Sequence, residues 1–286
     1  MYTKILIPLN PYLSSEKALS LVHFLFPNEE PELILLESTS NAISTYPPYT
    51  GDTMRFDQAH AFAKRSSPLD HIYSAIDATS QLAPKVRGFS VFGKSEEAIA
   101  KVAKSENVDL VLIFKDGNEG LLQNSVLDEV IRAVPCPVLV IRGQSRPESF
   151  LIILDGTQHS ERILSPVFEL ARLFEADVTL GHSKAVDLDL ASQRPVSELY
   201  LDDVIRRYRN FANDLEIFVE HGAYSGDAAG PLISKPVRKY GYDLIATAAN
   251  NWSAVVPILA EGEAANGVIH QSDPALLIAK PKEEAC

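Results

Sequence analysis

Cysteine is scarce in this chain of 286 residues: Cys136 and Cys286 provide no disulfide framework and no C-x-x-C pair. A disulfide-stapled fold is excluded. Cys136 stands between Pro135 and Pro137 at the mouth of an apolar run, where it reads as a small buried hydrophobe rather than a reactive thiol. The seven histidines, at positions 23, 60, 71, 159, 182, 221 and 270, show no H-x-H, H-x-x-x-H or H-E-x-x-H spacing, so no metal site is expected. Basic charge is the next shortage, with 26 Lys and Arg against 38 Asp and Glu and a net charge of -12. Nucleic acid and anionic membranes, which exchange counterions with a basic face, are therefore not expected partners. The densest basic run, Arg206-Arg207-Tyr208-Arg209, follows Asp202-Asp203 in a helical pattern and reads as a solvated face of mixed charge.

Long apolar runs are also missing. None approaches the roughly 20 residues needed to span a bilayer, and the N-terminus enters a strand without a signal-peptide pattern, so a cytoplasmic location is expected. The sequence has no G-x-G-x-x-G, no G-x-x-x-x-G-K-[ST] and no G-x-S-x-G. His159 and Ser160 are too close in sequence to act as a base and nucleophile pair, so no catalytic residue is assigned and no enzyme activity is expected.

What is present is an alternation of short apolar runs with amphipathic ones. Hydrophobic residues make up 46 % and charged residues 22 %, the balance of a globular protein long enough for two domains. The clearest unit runs from Asp109 to Arg142. Leu110 to Phe114 reads as a buried parallel strand, Lys115 to Gly120 breaks it, Val126, Val130 and Ile131 recur at helical spacing, and Val138 to Ile141 forms the next strand after Pro135 and Pro137. Before it, strands are expected at Lys4 to Leu9, Glu32 to Glu37 and Val86 to Phe92. Helices are expected from Ser15 to Phe26, over much of Phe56 to Ala83, and from Ser95 to about Glu106.

Gly143 to Ser149 reads as a linker, and the pattern then starts again. Phe150 to Leu154, Asp177 to His182, Leu215 to His221, Asp243 to Ala248 and Ala275 to Ala279 read as strands, with helices at Val196 to Ala212 and, more weakly, Asp227 to Tyr240. Leu154-Asp155 answers Leu9-Asn10, and Asp243-Leu244-Ile245 answers Asp109-Leu110-Val111. The halves are a diverged internal repeat. The expected fold is α/β, two tandem open doubly wound parallel-sheet domains, at residues 1–143 and 150–282.

At these residues the chain resembles the universal stress protein family. Domains of that family end in an Asp-Leu-hydrophobic strand, a loop G-x-x-G-x9-G-[ST], a helix and P-C-P-V-L-V, and they open with a strand running into D-G-S-x-x-S. Here Phe114 stands at the first loop glycine, Gly117 at the second and Asn124-Ser125 at the final pair, with a spacer three residues short. The resemblance implies that this loop cradles the triphosphate of ATP, as glycines and a helix N-terminus can. The positions carried over are Gly117, Gly120 and Ser125 in the first half and Asp155, Gly156 and Thr157 in the second. Asn10 replaces the aspartate that faces the nucleoside in the family, and Pro11 removes a backbone donor beside it. In the second half Ala248 and Asn251 take the glycine positions, and Trp252 and Glu261 lie in the loop.

The expectation is a stress-response or regulatory module with degenerate nucleotide loops and no required cofactor. ATP is the alternative ligand, and the first domain is the better site for it. The strands Val138 to Ile141 and Ala275 to Ala279 would be apolar sheet edges, which implies that the two halves pair through them as an intramolecular pseudo-dimer. A homodimer or a protein partner is left open.

Overall fold

The computed structural model describes residues 2–9, 15–26, 31–39, 85–115, 124–142, 146–154, 157, 161–182, 196–208, 217–223, 241–248 and 274–280. The chain divides into two compact units, one from Tyr2 to Val140 and the other from Ile141 to Cys286. The helices expected at 56–83 and 227–240 lie outside the described residues.

The first unit contains β1 (Lys4–Leu9), α1 (Ser15–Leu25), β2 (Glu32–Thr39), β3 (Val86–Phe92), α2 (Ser95–Ser105), β4 (Leu110–Lys115), α3 (Asn124–Ala133) and the start of β5 (Val138–Arg142), which crosses the boundary between the units. Its strands lie in the order β3-β2-β1-β4-β5. β1 is central, pairing in parallel with β2 from Lys4↔Glu32 to Leu9↔Glu37 and with β4 at Ile5↔Leu110 and Leu6↔Val111. Successive strand side chains point to opposite faces, and Ile5 to Ile7 and Leu110 to Phe114 are all buried, so both faces of the sheet are covered. That is why these strands read as unbroken apolar runs. α2 carries Ala98, Ile99, Val102 and Ala103 on one buried stripe, with Glu96 and Glu97 in its first turn, where they complement the helix dipole.

The second unit repeats the plan with β6 (Ser149–Leu154), α4 (Leu164–Phe174), β7 (Asp177–His182), α5 (Val196–Tyr208), β8 (Ile217–Ala223), β9 (Leu244–Ala248) and β10 (Ala275–Ala279). The order is β10-β9-β6-β7-β8, and every register determined among these strands is parallel. α4 buries Leu164, Val167, Phe168, Leu170, Ala171 and Phe174, and Glu175 ends it in the left-handed region at φ 54. Phe174 meets Phe150 of β6 edge to face, with ring centroids 6.0 Å apart. Full burial of each ring stabilises the unit by about 1.5–3 kcal/mol.

One device starts the central strand in both units. Asp109, just before β4, accepts hydrogen bonds at Oδ2 from the backbone N–H of Thr3 and of Lys4, each at 3.1 Å, and from the Thr3 hydroxyl at 2.6 Å. Asp243, just before β9, accepts from the N–H of Glu148 at 3.1 Å and of Ser149 at 3.2 Å. In return the N–H of Asp109 donates to the Lys4 carbonyl and that of Asp243 to the Ser149 carbonyl, both at 2.9 Å. The repeat read in the sequence is thus repeated in its hydrogen bonds.

Candidate functional site

In an open parallel sheet the crevice lies at the carboxyl ends of the strands, where chain order reverses. In the first unit the chain leaves β1 toward β2 on one side, and β4 returns on the other, so the crevice falls between the ends of β1 and β4. β4 ends in Phe114 and Lys115. Phe114, which takes the place of a loop glycine, is 6 % exposed, so a packed aromatic ring occupies the position where a phosphate loop brings bare backbone. Ser125 is the second residue of α3, at the helix N-terminus that faces the crevice in such folds. Gly117 and Gly120 lie outside the described residues, as do Asn10 and Pro11.

Beside the end of β1 stands Glu37 of β2, opposite Leu9, and the next residue, Ser38, shares a 2.6 Å hydroxyl hydrogen bond with Ser95, the first residue of α2. These groups were not singled out in the sequence. Their only signal was the small polar residues at the strand end and helix start.

In the second unit the reversal falls between β6 and β9, which pair from Phe150↔Leu244 to Ile153↔Thr247. Of the residues carried over here, Thr157 is exposed and its carbonyl accepts the N–H of Glu161 at 3.2 Å, ahead of α4. Asp155 and Gly156 lie outside the described residues, as do Asn251, Trp252 and Glu261. Ala248 is fully buried and pairs with Ala279. Thr247 is also fully buried, and its hydroxyl has no hydrogen-bond partner among the described residues.

Glu161 is buried and bonds to Arg207 of α5 through both carboxylate oxygens, Oε1 at 3.1 Å from Nη2 and Oε2 against Nη1. Asp203 holds the same guanidinium at Nε, 2.8 Å away, and also pairs with Arg206. The bonds to Glu161 hold the Arg207 guanidinium well above its ordinary range, although burial works against its charge. Arg206 lowers the carboxyl pKa of Asp203. The run Arg206-Arg207 is thus the mixed-charge face expected, with one addition: Arg207 also pairs with a buried carboxylate.

The amino ends of the first unit carry a separate ionic cluster. Glu32 and Glu106 both pair with Arg87, the latter at 2.7 Å, and Lys4 donates to the Glu106 carbonyl at 2.7 Å. Burial opposes the Arg87 charge, yet Glu106 and then Glu32 outweigh it and raise its pKa. This cluster lies at the end of the sheet opposite the crevice and holds strands together.

Among the described residues no group of three or more His, Cys, Asp and Glu could hold a metal, and no helix is long and apolar enough to cross a membrane. Residues 1–142 match the universal stress protein family. No curated protein matches the chain. Three solved structures are similar across 98 % of it. They are a putative universal stress protein from Pseudomonas aeruginosa (TM-score 0.60, 16 % identity, 94 % of that chain), a protein of unknown function from the same species (0.59, 15 %, 93 %) and a universal stress protein from Archaeoglobus fulgidus (0.56, 14 %, 99 %). At these identities the likeness is one of fold.

Proposed function

We propose that this chain, whose residues 1–142 belong to the universal stress protein family, is a non-catalytic stress-response or regulatory module whose nucleotide loops have degenerated. The observation that carries this reading is Phe114, buried at the end of β4 where the loop calls for glycine. The shortened spacer after Gly117 and the replacements Ala248 and Asn251 in the second half support it. No residue is given a catalytic role, and no cofactor is required.

A ligand that binds only the folded state stabilises it by RT ln(1 + [L]/Kd), about 2.7 kcal/mol at a hundredfold excess over Kd. Millimolar ATP is expected to leave the melting temperature unmoved. The second reading, ATP binding in the first domain, is favoured by Gly117 and Gly120 ahead of α3. It predicts a rise of several degrees that sulfate does not reproduce and that Gly117→Trp abolishes. A rise abolished instead by Asp155→Ala assigns the ligand to the second domain, and steady ATP hydrolysis lost in Gly117→Trp overturns the non-catalytic reading.

The proposal extends to organisation. Domains at 1–143 and 150–282 pair within one chain as a pseudo-twofold dimer through β5 and β10. Each of these strands lies at one end of its unit's strand order and is apolar, at Val138 to Ile141 and Ala275 to Ala279. Charged substitution at Leu139 or Leu277 is expected to raise the hydrodynamic radius, and freely moving domains in the unaltered chain refute the pairing. A further homodimer or protein partner is compatible with this arrangement, and the protein is expected in the cytoplasm.

A further inference from the structure

We propose that Glu161 and Arg207 form a positioning pair that fixes where helix α5 sits against α4, while apolar burial holds α5 to the sheet. The two helices are held very unequally. Both pack on β7. α4 buries Leu164, Val167, Phe168, Leu170, Ala171 and Phe174, an apolar stripe along its whole length that admits one seating. Among the described side chains of α5, only Leu201 and Val204 are fully buried apolar ones. Hydrophobic burial has no direction, so two aliphatic groups less than a turn apart attach the helix without fixing its rotation or its place along its axis.

The directional contact is polar. Glu161 lies three residues ahead of α4 and is 7 % exposed. Arg207, 46 residues further on, meets both its oxygens with a planar fork, Nη2 at 3.1 Å from Oε1 and Nη1 against Oε2. Asp203, one turn earlier on α5, accepts from Nε of the same guanidinium at 2.8 Å, so the fork is aimed from within its own helix. A slip of α5 by one residue moves the guanidinium about 1.5 Å along the axis and about 100° around it. The fork is then lost and a buried carboxylate is left without its cation. Desolvation of two charges offsets most of their attraction, so such a pair adds little over a well-packed apolar one; what it imposes is a penalty on every other seating. This inference is independent of whether a nucleotide binds.

The double variant Glu161→Met with Arg207→Met, made in the full chain, tests it by thermal melting and hydrogen exchange. With no buried charge left, the second unit is expected to melt within about 2 °C of the unaltered protein. A helix without one fixed seating opens more often, so amides from Leu201 to Arg207 in α5 should exchange at least about tenfold faster while those from Phe168 to Phe174 in α4 hold their rate. Arg207→Met alone, which strands the Glu161 carboxylate, should melt below the double variant. Arg207→Lys keeps the charge and loses the fork; it should melt near the unaltered protein yet exchange faster in α5, and it carries the test if the Met variants do not fold. The proposal is overturned if α5 keeps its protection in the double variant, if α4 loses protection together with α5, or if the double variant melts as low as Arg207→Met.

Discussion

The clamps at Asp109 and Asp243 predict a graded loss of stability that can be worked from their bonds. Asp109→Ala removes three hydrogen bonds to a carboxylate, and Asp243→Ala removes two. A bond to a charged group contributes about 1.5–3 kcal/mol when buried, and much less where water can replace the lost acceptor. The Thr3 bonds and both Asp243 bonds are open to water, whereas the Lys4 N–H is partly buried. The expected costs are about 2 kcal/mol for Asp109→Ala and about 1 kcal/mol for Asp243→Ala. With a urea m-value of about 2 kcal/mol/M, the midpoint for the affected unit falls by about 1 M and about 0.5 M. Asp109→Asn keeps an acceptor without the charge and should lose about half as much as Asp109→Ala. Equilibrium urea unfolding followed by circular dichroism, fitted with one transition per unit, measures all three. The reasoning fails if Asp109→Ala moves the midpoint by less than about 0.2 M, or if Asp243→Ala costs more than Asp109→Ala.

Other expectations follow from buried polar groups. Burial first, then the negative charge of Asp109 and of Cys136, raises the Tyr2 phenol above its ordinary value near 10. Its contribution is full below pH 10 and is lost as pH climbs toward the folded value, because the unfolded phenol releases its proton first; Tyr2→Phe should flatten that alkaline decline by up to about 1.4 kcal/mol per pH unit. Thr247→Val removes a fully buried hydroxyl without a described partner and is expected to stabilise the second unit by about 1 kcal/mol in a thermal melt. A loss would mean that the hydroxyl has a partner. Cys136 is buried, so in a Cys286→Ser background a thiol reagent should label the native protein far more slowly than the urea-unfolded chain, and equal rates would contradict the burial.

The amino-acid sequence by itself determined the elements and their kind. A parallel strand covered on both faces is apolar at nearly every position, and Leu110 to Phe114, Phe150 to Leu154 and Ala275 to Ala279 could be read for that reason. Helix stops at Pro135 and strand starts after Pro137 were equally local. The two-unit repeat was legible because Asp109-Leu110 and Asp243-Leu244 recur at matching places, and the family because of the motif around Cys136. The site was legible only as departures from that motif, at Asn10, Phe114 and Ala248.

Tertiary structure decided what depends on residues far apart in the chain. Asp109 reads in sequence as the start of a strand; that it anchors Thr3 and Lys4 requires β1 and β4 to be neighbours, which apolar patterning does not specify. Arg207 reads as one more charge on a solvated helix, because its acidic neighbours Asp202 and Asp203 are close in sequence. Its link to Glu161 appears only when α5 is laid against the sheet, since burial of a carboxylate is a property of its surroundings and not of its type. For the same reason Thr247 looked like any strand threonine until the sheet enclosed its hydroxyl. Local chemistry wrote the elements, while the order of the strands chose which charges and hydroxyls would lose their water.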